Sequence, residues 1–154
     1  MTRKLLFTLL LLFVFLGSFA QGVSKPAYDS ALAKKTGADA YGMKQYVMVL
    51  LVTGKTVVSE KAVRDSLFAG HMKNINTLAK AGKLVVAGPF NKNELNYRGV
   101  FVFNTASVEE TKSLVSTDPA VKAGIFDVLY LPWYSSAALM EVNGLHEKIQ
   151  QSSP

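Results

Sequence analysis

From Gln45 onward the apolar positions alternate between two periods, and the changes of period divide the chain into elements. Tyr46-Val47-Met48-Val49-Leu50-Leu51-Val52 is a continuous run of β-branched and aromatic residues closed by Gly54, which predicts a central strand. Ser59 offers a cap for a helix from about Glu60 to Ala81, with Gly82 just past its end. In that span Val63, Leu67, His71, Ile75 and Leu78 share one helical face, so His71 sits in the middle of the stripe that should meet a sheet. Lys83 to Ala87 reads as a short strand ended by Gly88-Pro89, and a polar loop from Asn91 to Asn96 leads to a third strand, Tyr97 to Phe103. Ser107-Val108-Glu109-Glu110 fits a capping box that opens a second helix. That helix should stop near Thr117, because Pro119 disfavours helical geometry at Asp118. Ile125 to Leu131 predicts the last strand, closed by Pro132-Trp133-Tyr134.

The order β-α-β-β-α-β is the ferredoxin-like split motif, an α+β class. Right-handed crossovers place both helices on one face of a four-stranded antiparallel sheet. Apolar residues occur on both parities of the first strand, with Tyr46, Met48 and Leu50 on one side and Val47, Val49 and Leu51 on the other. The face without helices therefore needs a cover as well. A second subunit is the simplest one, giving a homodimer in which two sheets pack together.

The flanks are less patterned. Arg3 and Lys4, the apolar run Leu5 to Leu16, and Gly17-Ser18-Phe19-Ala20 before Gln21 match a secretory signal over residues 1–20. The expected protein is exported, to the periplasm or beyond the cell. Membrane association is expected only if this segment stays uncleaved, and the run is short against the roughly 20 residues of a spanning helix. Residues 21–43 read as a polar spacer with one helical turn between Tyr28 and Lys35. Residues 44–135 form the domain, and 136–154 a tail that carries a short helix. The absence of cysteine excludes disulfides, thiol catalysis and zinc-thiolate sites. The formal charge of +6 falls to +4 without Arg3 and Lys4, and the lysines are scattered, so no nucleic-acid footprint is present.

Candidate chemistry is sparse. His71 and Asp118 occupy matching places in the two halves of the repeat, which could bring an imidazole and a carboxylate to one small pocket. A stripe histidine is more often a core residue, and Asp-Pro is by itself a good helix start, with the carboxylate as cap. Asp118 also follows the end of the second helix, where the dipole disfavours a negative charge, and a protonated His71 would relieve that. Gly88, Pro89, Phe90 and Trp133 close strands and could form the apolar wall of a pocket for a small-molecule ligand. His146 lies in the polar tail. One domain histidine without clustered carboxylates points away from a transition-metal site, and no cofactor motif occurs.

Gly70-His71-Met72, Gly82 through Pro89, Arg98-Gly99, Asp118-Pro119 through Ala123-Gly124, and Pro132-Trp133 resemble the YCII-related (YciI-like) family over residues 43 to 135. The resemblance implies a dimeric α+β barrel with a pocket near the helix histidine and the Asp-Pro acid, here His71 and Asp118. It also implies, from a few characterised relatives, removal of chloride from chlorinated hydroxyquinone-type rings. Many relatives carry arginine three residues before the histidine, where this chain has Phe68. Two functions follow as expectations. One is a cofactor-free enzyme in which His71 is general base and acid and Asp118 orients it, for elimination, isomerisation or dehydrochlorination of an aromatic or lactone-like molecule. The other is a non-catalytic ligand-binding module of the cell envelope.

Overall fold

The computed structural model describes residues 26–152, so the predicted signal segment, residues 1–20, lies outside the described residues. The elements run α1 (Ser30–Thr36), β1 (Met43–Thr53), α2 (Lys61–Lys80), β2 (Leu84–Pro89), β3 (Tyr97–Phe103), α3 (Val108–Val115), α4 (Pro119–Lys122), β4 (Phe126–Ser136), a 3-10 turn (Ala137–Glu141) and α5 (Val142–Ile149). The four strands form one sheet in the order β2-β3-β1-β4, every pairing antiparallel. This is the ferredoxin-like α+β arrangement that the order of elements implies.

Strand pairing decides what each face presents. On β1, Val47, Val49 and Leu51 stand opposite Phe103, Phe101 and Gly99 on one side, and opposite Pro132, Tyr130 and Val128 on the other. This face carries the main core, which takes in Leu84, Val115, Ala120 and Phe126 and is capped by Ile75 and Leu78 of α2. The alternate residues form a smaller cluster on the opposite face, where Tyr46, Val85 and Val102 pack with Trp133, Leu139 and Met140.

Three boundaries differ from the sequence reading. Helix α2 starts at Lys61 with Glu60 as its cap residue, not Ser59, and no side chain caps it. Its first turn is held instead by the Lys61–Asp65 ion pair. The helix is about 30 Å long, against roughly 20 Å for β2, so its first turns project beyond the strand that follows it. Val63 is accordingly exposed, and burial of the stripe becomes complete only at His71. Strand β4 does not close at Pro132 but runs on to Ser136. It is an edge strand, where a residue without an N–H is tolerated.

The third difference concerns the flanks. The spacer is docked: Lys35 pairs with Glu141 at 2.7 Å, and the N–H of Ala137 donates to the carbonyl of Gly42 at 2.9 Å. The carboxylate of Asp39 accepts from the N–H groups of Tyr41 and Met43 and from the Tyr134 hydroxyl. Together the spacer and the 3-10 turn cover one end of the sheet face that lacks α2 and α3.

The other end of that face is open. Leu129 and Leu131 stand opposite Leu50 and Met48 and remain 46% and 45% exposed. We propose that a second copy covers this strip. Fully burying one leucine contributes roughly 1.5–3 kcal/mol, so Leu131→Lys should raise the dimer dissociation constant by about tenfold or more. Sedimentation equilibrium checks this, and a wild-type monomer at micromolar concentration would end the proposal.

Candidate active site

Two backbone features bring His71 and Asp118 together. The first is the break after α3. That helix is capped by Ser107, whose side chain accepts from the Glu110 N–H, and it ends at Val115. The chain extends at Asp118 (φ −73°, ψ 123°) and restarts as the single turn α4, with Pro119 in its first position. The second feature is Gly70. A Cβ built there would lie 2.9 Å from Cγ of Pro119, so only glycine lets α2 come this close to the start of α4. Nearby, the Thr117 hydroxyl donates to Asn74 Oδ1 at 2.9 Å, tying the same two segments one helical turn further along.

The carboxylate of Asp118 is 1% exposed and serves both neighbours with separate oxygens. Oδ1 accepts from the backbone N–H groups of Ala120 at 2.8 Å and Val121 at 3.4 Å, which is the helix cap. Oδ2 lies 2.6 Å from Nδ1 of His71. Capping and pairing are therefore simultaneous. Burial pushes the Asp118 carboxyl up. The hydrogen bond and charge of His71, with the two backbone N–H groups, outweigh it and hold the carboxyl below its ordinary value of 3.8.

The imidazole is enclosed by rings. Phe126 lies 5.5 Å away between centroids, Phe101 5.9 Å and Phe68 6.3 Å, the last edge-on at 83°. His71 as a whole is 8% exposed. Among the described residues Nε2 has no hydrogen-bond partner, and no buried side-chain nitrogen or oxygen is left unpaired. Nε2 is thus the polar edge of the ring that still meets solvent. A carboxylate accepting at Nδ1 keeps the neutral imidazole protonated there, which leaves the Nε2 lone pair facing outward. The arrangement can take a proton at Nε2 and stabilise the resulting imidazolium through Asp118.

The remaining sequence candidates separate. Pro89 stands opposite Gly99, at the end of β2 and on the sheet face that carries α2. Gly88 pairs with Val100, whose neighbour on β1 is Leu50, and so belongs to the other face. Phe90 lies past the strand end, with its ring on Tyr97 at 6.4 Å. Trp133 packs on Tyr46 at 6.3 Å, on the face opposite His71. The β4 register, which sends alternate side chains to opposite faces, therefore does not bring Trp133 to the imidazole. The groups that do surround the imidazole include Phe68, Phe101 and Phe126, none of them on the sequence-derived list. Phe68 alone was within reach of sequence reasoning, being three residues before His71 on one helix. No group of three or more histidine, cysteine, aspartate or glutamate side chains placed to hold a metal ion occurs among the described residues.

Two outcomes are expected. Gly70→Ala gains about 1 kcal/mol of helix propensity but forces α2 from α4 at a cost of roughly 1–3 kcal/mol, so urea unfolding should show a net loss. The Asp118 contribution has a definite sign in pH. A carboxyl held below its ordinary value stabilises the fold above about pH 4 and loses that contribution as pH falls through its folded value. The stability gap between wild type and Asp118→Asn should therefore shrink as pH falls through and below that range, as acid titration of the unfolding free energy would show.

A search of curated proteins finds no match. Among solved structures, the chain is similar to 5-chloro-2-hydroxyhydroquinone dehydrochlorinase from Burkholderia phenoliruptrix, determined in complex with 2,5-dihydroxybenzoquinone. The identity is 23% and the TM-score 0.41, over 56% of this chain and 92% of that one. At that distance nothing of its chemistry transfers by likeness alone. The YCII-related domain, in contrast, matches residues 46–134, more than half of the chain, and takes in most of the sheet and both members of the His71–Asp118 pair. This chain is a member of the YCII-related domain family.

Proposed function

We propose that the protein is a small enzyme in which Nε2 of His71 is the general base and acid and Asp118 holds the imidazole in its working orientation. The observation that carries this reading is the 2.6 Å contact between Asp118 Oδ2 and His71 Nδ1, with Nε2 free of hydrogen-bond partners among the described residues. The aromatic surroundings favour a small planar molecule, and elimination or isomerisation needs only a positioned proton acceptor. In dehydrochlorination, Nε2 would take a ring hydroxyl proton. Delivery of that proton to the chlorine-bearing ring carbon gives a keto tautomer with one C=O and an sp3 C–H at that carbon. Nε2 then takes a second hydroxyl proton, and the electrons released form a second carbonyl and a ring C=C as chloride departs with its bonding pair. The imidazolium then returns its proton to solvent, so the net loss is hydrogen chloride. Two features support a cell-envelope setting as part of the same proposal: the basic start at Arg3 and Lys4, and the apolar run that follows it.

A first assay is chloride release from 5-chloro-2-hydroxyhydroquinone, the compound named for the similar solved enzyme. His71→Gln should lower kcat by about 100-fold or more, the usual contribution of a positioned acid-base group. Asp118→Asn should lower it less, because the imidazole remains. Turnover of His71→Gln within a few-fold of wild type would refute the reading. A ligand bound tightly but recovered unchanged after long incubation would favour a binding module of the envelope instead.

A further inference from the structure

Phe68 is the one ring of the group around His71 that reaches solvent. It is 37% exposed, whereas Phe126 and Phe101 are 7% and 5% exposed. Its ring meets His71 at 83° and Phe126 at 77°, with centroids 6.3 Å and 6.0 Å away. An exposed ring in contact with the nearly buried imidazole and with Phe126 is the part of this group that a ligand approaching from solvent can touch. Because Phe68 stands perpendicular to both neighbours, it makes no parallel stack with either, and ring surface is left for a flat molecule to pack on in an offset geometry.

The charge around this group is one-sided. Asp118 is almost completely buried on the far side of the imidazole. Among the described residues no lysine or arginine hydrogen-bonds to His71 or Asp118; the lysine ion pairs there are with Glu141, Asp65, Glu110 and Glu109. An anion arriving at Nε2 would therefore meet apolar rings and a buried carboxylate within several ångströms, without a fixed cation to offset it. Repulsion over such a distance is weakly screened in an aromatic setting. An uncharged ligand avoids that cost. If it releases its proton to Nε2, its new negative charge faces an imidazolium that is already balanced on its other edge by Asp118.

We propose that Phe68 is the specificity-determining residue of this site, and that it makes the site select an uncharged planar ligand over an anionic one of the same size. The proposal rests on His71 Nε2 being the group that meets the ligand, as in the function proposed above. It requires no turnover.

Phenol and benzoate make a matched pair of probes, because at about pH 8 the first is neutral and the second charged. Each is titrated against the full-length protein, with binding read from the side-chain NMR resonances of His71. In wild type, phenol should shift these resonances to saturation at millimolar concentration, and benzoate should bind roughly tenfold more weakly or worse. Phe68→Leu should weaken phenol several-fold without admitting benzoate. Phe68→Lys should move the preference toward benzoate by about tenfold. Phe68 is exposed enough for both variants to fold, and their backbone spectra verify it. The proposal is overturned if phenol leaves His71 unmoved, if benzoate matches phenol in wild type, or if Phe68→Lys leaves the ratio unchanged. Failure of the catalytic reading looks different: His71→Gln would keep its turnover while the selectivity for phenol persisted.

Discussion

The close approach of α2 to the start of α4 is the constraint on which the site depends. It exists because position 70 has no side chain and Pro119 fills the space a Cβ would occupy. The same proline stops α3 from continuing through Asp118 and starts α4 with a fixed φ. One residue thus breaks a helix, begins the next and packs on a third. The consequence is that Asp118, which local rules would make only a cap, has an oxygen left over at hydrogen-bonding distance from an imidazole on another helix.

Burial sharpens the pair. A carboxylate this enclosed would be costly if unpaired, and its two oxygens are satisfied by different partners, one set local and one tertiary. Asp118 occupies the Nδ1 edge and phenylalanines pack on the imidazole, while Nε2 stays in reach of solvent. The polarity of the ring is therefore directed: one nitrogen is committed to structure and the other is available for a ligand.

The flanking segments change the surface rather than the site. Residues outside the matched family region, among them Lys35, Gly42, Ala137 and Glu141, bond to one another and close one end of the second sheet face. Leu139 and Met140 from that added layer pack against Tyr46 and Trp133. What remains open is a shorter apolar strip around Leu129 and Leu131.

The periodicity of the chain was enough to order the strands and helices and to place His71 on the buried stripe, because alternation and the 3.6-residue repeat are local properties. It also marked Asp118 as a helix start, since proline restricts its immediate neighbours. It could not assign Trp133 to a face, because a strand that passes through Pro132 and one that ends there look alike until β1 supplies a partner. Nor could it find Phe126 and Phe101 beside His71, or the role of Gly70, since these depend on how close separately formed elements come. The order of elements and the identity of the two polar residues are thus written in the sequence by itself. The 2.6 Å distance between those residues, the rings around the imidazole and the face each strand presents were decided only by tertiary packing, where side-chain volume and not local preference sets the spacing.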